Sequence, residues 1–223
     1  MEFLLDSACP KEIEEVTSWG LITGVTTNPS LYGKMADDFV KRLQEILEVS
    51  PGVVYTQVIG ADDRDDMVRQ ARWIASQSEK IIVKLPMTNA GIQACVQLKK
   101  ESPEITIAIT AVATMAQAFL AGKAGADVCA LFNGPLDLEV DAEFDLVTPV
   151  KMIYTNYGFP TKILSACRFA RTFAEYCAAG TDIVTLKKEY HALLYEHAYT
   201  DKRMKGFLGD WKGKFGDKIW PQE

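Results

Sequence analysis

A lysine closes a buried apolar run at Ile81-Ile82-Val83-Lys84-Leu85-Pro86. Three β-branched aliphatics in a row read as a strand covered on both faces, and the proline ends it two residues after the lysine. A free lysine, with a pKa of about 10.4, is neutral only about once in 2,500 molecules at pH 7. Burial disfavours its ammonium form. Held that way, the amine attacks a carbonyl and forms a Schiff base. The competing reading is a strand-end lysine whose stem packs while its amine reaches water. What surrounds Lys84 decides between them.

Other apolar runs also end on polar residues. Phe3-Leu4-Leu5 closes on Asp6, and Ile22 to Val25 on Thr26, Thr27 and Asn28. Val53 to Val58 carries Gln57, and Ile105 to Ile109 closes on Thr110. Later runs end on Phe132 with Asn133, and on Ser165 and Cys167. Brought to one mouth, these residues form a kit for carbonyl chemistry around Lys84. Asp6 takes the proton of a substrate hydroxyl, as cleavage of a β-hydroxyketone requires. Asn28 holds hydroxyls of the bound ketone. Thr110 and Gln57 position a water for carbinolamine dehydration and proton transfer. The alternative for each is a strand-end group that caps a helix or satisfies a loop; Asn28, ahead of Pro29, stands at a helix start. His191 and His197 fall in late helices and read as surface residues. Asp6 has no companion ligands, so no metal is expected.

The elements that must position this set alternate strand and helix from end to end. Strands are expected at 3–6, 22–26, 53–58, 81–86, 105–110, 127–132, 162–165 and 182–186. Helices follow at 10–19, 28–49, 62–78, 89–100, 114–124, 144–157, 168–179 and 187–196, with Trp19 and Val96 expected to face inward. Eight strand–helix units of this size are the signature of a (β/α)8 TIM barrel, whose catalytic groups gather at the carboxyl ends of the strands. Residues 1–199 are read as that barrel. Residues 200–223 form an extra C-terminal helix and tail rich in Phe207, Leu208, Trp211, Phe215, Ile219 and Trp220. A closed barrel does not need them, and so much apolar surface calls for a cover.

The bulk numbers narrow the class. A chain of 223 residues with 48% hydrophobic and 24% charged residues is ordinary globular material. No apolar run is long enough to span a membrane, and Met1-Glu2-Phe3-Leu4-Leu5-Asp6 lacks the basic start of a signal peptide. A net charge of −6 gives no reason to expect nucleic acid. Five scattered cysteines without a CxxC read as reduced cytoplasmic thiols. No glycine-rich dinucleotide loop or P-loop is present, and no cofactor is expected.

Gly24-Val25-Thr26-Thr27-Asn28-Pro29-Ser30, with Leu4-Leu5-Asp6 before it and Val83-Lys84-Leu85-Pro86-Met87-Thr88 after it, resembles the short transaldolase and fructose-6-phosphate aldolase family. The likeness runs along nearly the whole chain. It implies a (β/α)8 barrel and transfer or release of a dihydroxyacetone unit. By position it makes Lys84 the Schiff-base lysine, Asp6 the acid/base, Asn28 the hydroxyl-binding amide and Thr110 the holder of a water. It also implies sugar substrates with a terminal anion, and a pentamer or decamer in which the C-terminal helix lies on a neighbouring subunit.

The departures from the family's pattern carry the finer expectations. Gln57, Ala108 and Ala130 resemble the aldolase branch, where transaldolases have glutamate, asparagine and serine. Phe132 resembles the transaldolase branch, where aldolases have a tyrosine that helps hold the water discharging dihydroxyacetone. A phenylalanine cannot bond that water, which points to transfer onto an aldehyde such as glyceraldehyde 3-phosphate. An aldolase that frees dihydroxyacetone, and a non-catalytic sugar-binding barrel, are the alternatives. The family's anion-binding arginine after the sixth strand is replaced by Pro135, its serine by Cys167, and its next arginine is displaced to Arg168. The anion is then held by Arg168, Arg171 or Lys162, or it is a sulfonate, as in 6-deoxy-6-sulfofructose, which needs fewer cations.

Overall fold

The computed structural model describes residues 1–35, 37–132 and 145–220. It divides the chain into two compact units, Met1–Lys188 and Glu189–Glu223. The first unit is a closed barrel of eight strands in sequence order. They are β1 (Glu2–Asp6), β2 (Gly24–Thr26), β3 (Val53–Gln57), β4 (Ile81–Pro86), β5 (Ile107–Val112), β6 (Val128–Leu131), β7 (Lys162–Ala166) and β8 (Ile183–Leu186). Every pairing is parallel, and β1 closes the ring against β8. Among the described residues the helices are α1 (Pro10–Ser18), α2 (Pro29–Met35), α3 (Phe39–Val49), α4 (Arg64–Ala75), α5 (Asn89–Glu101), α6 (Met115–Lys123), α7 (Val147–Tyr157), α8 (Ala170–Ala179), α9 (Lys188–Leu193) and α10 (Ala198–Phe215). This is the (β/α)8 TIM barrel with an extra C-terminal helix that the alternation predicts.

Successive strand residues face opposite sides. One set faces the barrel axis: Leu4, Tyr55, Ile82, Ala108, Val128, Ala130, Leu164 and Ile183 meet in a single buried cluster. Two residues further along each strand lie Asp6, Gln57, Lys84, Thr110, Phe132, Ala166 and Thr185. The apolar layer is therefore the floor on which the polar mouth rests.

Side-chain caps start the helices that follow the strands. Asp63 accepts from the Asp66 amide, Thr88 from Gly91 and Thr114 from Gln117, each satisfying a donor that the first helical turn leaves open. The single helix expected over 28–49 is two: Asp38 accepts from the Val40 and Lys41 amides and starts α3 afresh. Trp19, expected inward, is 36% exposed at the end of α1, and Val96 is 51% exposed on α5, whose buried stripe is Gly91, Ala94, Cys95 and Leu98. His191 is buried and not a surface residue; His197 is exposed and caps α10 through Nδ1, which accepts from the Tyr199 amide. Within the second unit α10 buries no residue, and the Trp211 ring lies 4.6 Å from that of Phe215 and 5.7 Å from that of Trp220.

Candidate active site

Lys84 is buried on the axial side of β4, with Gln57 its partner in register on β3 and Ala108 on β5. Its Nζ donates to the Thr27 carbonyl oxygen at 2.8 Å. That carbonyl is free to accept because β2 ends at Thr26. Burial lowers the Lys84 pKa to about 8, against an opposing pull from Asp6. At pH 7 about one molecule in ten then carries the neutral amine, some 200-fold more than for a free lysine.

Asp6 ends β1 beside Thr26, its partner in register. Burial pushes its carboxyl above the ordinary range; Lys84, the Thr26 hydroxyl, Lys187 and Arg168 pull it down without offsetting that. Thr26 Oγ1 donates to Asp6 Oδ1 at 2.8 Å and lies 2.7 Å from Thr185 Oγ1. A hydroxyl has one hydrogen. When Asp6 is ionised, Thr26 gives its hydrogen to the carboxylate, so Thr185 must donate to Thr26. The ionised carboxylate is thus held by a chain of two hydroxyls that runs from β8 to β2 across the end of β1.

Thr110 pairs with Pro86 in register, and its Oγ1 is buried with no hydrogen-bond partner among the described residues. A buried hydroxyl left so costs about 1–3 kcal/mol, and a polar atom of a ligand or water relieves it. Just beyond it Ala111 has φ of 63°, and β5 carries an irregularity against β6 between Ile109 and Val112. The bulge ends regular pairing next to Thr110. Asn28 follows Thr27 directly; its Oδ1 accepts from the Leu31 amide at 3.1 Å, the capping role open to it from sequence.

The remaining candidates are less uniform. Phe132 is half-buried directly after β6, its amide donating to the Val112 carbonyl. Ser165 is not brought into the mouth. It lies one residue out of phase with the axial Leu164 and Ala166, and its hydroxyl is 3.0 Å from that of Thr181 on the helix side. Cys167 is buried, and its amide extends the β7–β8 ladder to the Thr185 carbonyl at 3.0 Å. Arg168 follows, half-buried and within electrostatic reach of Asp6. Lys162 is at the opposite end of β7 and pairs with Glu2 at 2.9 Å; Arg171 is exposed and pairs with Glu175 at 3.4 Å. Pro135 lies outside the described residues.

Two residues of the site escape the sequence reading, Thr185 and Lys187. A threonine within Ile183-Val184-Thr185-Leu186 reads as a strand former, and Lys187 as a helix start. Their position two residues apart at the end of the eighth strand was the available signal. Beside the mouth, a groove of about 510 Å³ opens against α2, α3 and α4, lined by Asn28, Tyr32, Leu43, Gln57 and Trp73. It contains neither Lys84 nor Asp6. Among the described residues no group of three or more histidine, cysteine, aspartate or glutamate side chains could hold a metal, and no helix is long and apolar enough to cross a membrane.

The family model described as transaldolase/fructose-6-phosphate aldolase matches residues 3–214. A probable transaldolase of Petrotoga mobilis is 38% identical over 98% of this chain and 98% of its own length. One of Kosmotoga olearia is 38% identical over 95% of this chain and 96% of its own length. One of Aquifex aeolicus is 36% identical over 95% and 97%.

Proposed function

The chain belongs to the transaldolase/fructose-6-phosphate aldolase family, and from that premise we propose that it works as a metal-independent Schiff-base transaldolase. The observation that carries this reading is the buried amine of Lys84, with its pKa lowered to about 8, in the field of the half-buried Asp6. Neutral Lys84 adds to the ketose carbonyl, and loss of water gives the iminium. Asp6 takes the proton of the β-hydroxyl, the carbon–carbon bond breaks and an aldehyde leaves. The electron pair remains as an enamine on the lysine-bound dihydroxyacetone unit. The enamine adds to an acceptor aldehyde such as glyceraldehyde 3-phosphate, Asp6 returns the proton, and water hydrolyses the new iminium. Asn28 holds substrate hydroxyls, and Thr110 with Gln57 holds the water. Borohydride with a ketose should give an adduct on the intact protein by mass that Lys84→Ala loses; no adduct would sink the mechanism and favour a sugar-binding barrel.

Transfer over release rests on Phe132, which offers the water no hydrogen bond. Gln57, Ala108 and Ala130 favour the second reading, an aldolase that frees dihydroxyacetone. Free dihydroxyacetone without an added aldehyde decides between them, and Phe132→Tyr should raise it. With Cys167 where the family has a serine, the ketose is a candidate for a terminal sulfonate such as 6-deoxy-6-sulfofructose. Turnover of fructose 6-phosphate against that sulfonate, with glyceraldehyde 3-phosphate as acceptor, tests it; clear preference for the phosphate ends the idea. The exposed Phe207, Leu208 and Phe215 support a homo-oligomer, pentamer or decamer, in which the tail rests on a neighbouring subunit. Free cysteines are consistent with a cytoplasmic setting.

A further inference from the structure

We infer that Gln117 is a positioning residue: through the Val112–Ala113 peptide it sets where Phe132 stands against Thr110, and so how readily water discharges the lysine-bound dihydroxyacetone unit. This rests on the reading above, in which Thr110 holds that water and Phe132 denies it a bond. Pairing of β5 with β6 slips between Ile109 and Val112, so the backbone just past Thr110 depends on individual bonds. The Thr110 carbonyl accepts from the Met87 amide at 2.9 Å, which ties it to the end of β4. Ala111 follows with its φ of 63°. The next anchored group is the peptide between Val112 and Ala113. Its carbonyl accepts from the Phe132 amide at 2.9 Å, and its N–H donates to Gln117 Oε1 at 2.8 Å. The carbonyl and the N–H leave one rigid plane in opposite directions, so a bond at each end fixes its tilt. Without the Gln117 oxygen the plane is held at the Phe132 end alone and can swing, taking the Phe132 amide with it.

Gln117 is half-buried in the first turn of α6, and its amide donates to the capping Thr114 hydroxyl at 3.2 Å. A Thr-x-x-Gln start is ordinarily a capping box, in which the glutamine side chain returns to the amide of the capping threonine. Here it reaches one residue further back, to Ala113. The bond therefore does nothing for the open donors of α6; it fastens the end of β5. Thr110 and Phe132 thus depend on the same short segment, Thr110 as part of it and Phe132 through the Val112 carbonyl.

The test uses full-length wild type, Gln117→Met, which loses the acceptor, and Gln117→Glu, which keeps an acceptor oxygen. Fructose 6-phosphate, or its sulfonate counterpart if that turns over faster, is the donor, with isotopically labelled glyceraldehyde 3-phosphate as acceptor. Labelled ketose counts transfer and free dihydroxyacetone counts release. Gln117→Met should raise the ratio of release to transfer about three- to tenfold. Its rate of borohydride adduct formation should stay within about twofold of wild type, since Lys84 is untouched. Gln117→Glu should keep the wild-type ratio. In a Phe132→Ala background, with no ring left to place, Gln117→Met should not move the ratio. Hydrogen exchange at the Ala113 and Phe132 amides should quicken about tenfold in Gln117→Met and not in Gln117→Glu. An unchanged ratio or unchanged exchange in Gln117→Met, an equal rise in Gln117→Glu, or the same rise in the Phe132→Ala background overturns the assignment. If wild type forms no adduct with the ketose, the mechanism fails, while the exchange comparison still decides whether Gln117 holds Phe132.

Discussion

On the β1, β2 and β4 side of the mouth, the groups proposed to react are held: buried Lys84 by the Thr27 carbonyl, half-buried Asp6 by Thr26, and Thr26 by Thr185 reaching over from β8. Beyond β7 and β8, Arg168 and Lys187 are half-buried and have no such partners among the described residues. Under the proposed function the difference separates two tasks. A group whose protonation must change during a reaction needs a fixed, dry setting that moves its pKa. A group that recognises an anion needs its charge intact and a site left open for the ligand. Substitutions on the held side should lower kcat for any ketose, and substitutions on the open side should raise KM for charged ones.

The largest effect belongs to Lys84. Lys84→Met should lower kcat by about 10⁴-fold or more and abolish borohydride trapping. It should also alter stability against pH. The folded-state pKa of about 8 lies below the 10.5 of an ordinary lysine. Between those values the unfolded chain holds a proton that the folded chain does not, so this group makes the fold more stable as pH rises through that window. Below it the buried ammonium costs about 3 kcal/mol. Urea unfolding of wild type minus Lys84→Met should show that slope between pH of about 8 and 10.5, and a flat difference would mean the amine is solvated.

Asp6→Asn should come next, with kcat lowered about 10²- to 10⁴-fold. Trapping should survive, because iminium formation precedes the proton abstraction assigned to Asp6. In the free enzyme kcat/KM should rise with pH and level off above about 8, where Lys84 becomes neutral. Loss of trapping in Asp6→Asn would show that the two groups act as one unit and not in succession.

Thr185→Val probes the reach of the held side into β8. Removing its hydroxyl deprives Thr26 of its donor and should lower kcat about three- to tenfold, with KM for charged and uncharged ketoses changed alike. Thr185→Ser should restore it. A selective rise in KM for the charged ketose would move Thr185 to the anion side and blur the division.

How much of this was legible in the sequence follows the same division. Lys84, Asp6 and Thr110 each interrupt or close an apolar run, and a polar group there has few alternatives to the mouth. Eight such runs with helices between them sufficed for the barrel. Thr185 was hidden because its partner Thr26 is 159 residues away and threonine suits a strand regardless. Ser165 was misplaced by a single residue, which in a strand reverses the face. The break before Asp38 was signalled by a capping aspartate, but the residues around it are compatible with one continuous helix.

The seam between the two sides falls at β5, where pairing with β6 slips between Ile109 and Val112 and exposed Ala111 takes φ of 63°. A residue with a Cβ in that region costs about 1–2 kcal/mol, which glycine avoids while adding about 0.5–1 kcal/mol of unfolded-chain entropy. Ala111→Gly should therefore stabilise the fold by about 0.5–1 kcal/mol, a rise of about 1–4 °C in Tm for a chain of this size. The same change loosens the backbone that aims Thr110, whose buried hydroxyl has no partner among the described residues to fix it. kcat should fall about two- to fivefold as Tm rises, since a small misplacement of a positioned group is costly. If Tm rises and kcat does not fall, the bulge is only the place where the regular ladder ends, and Thr110 is positioned by its pairing with Pro86 alone.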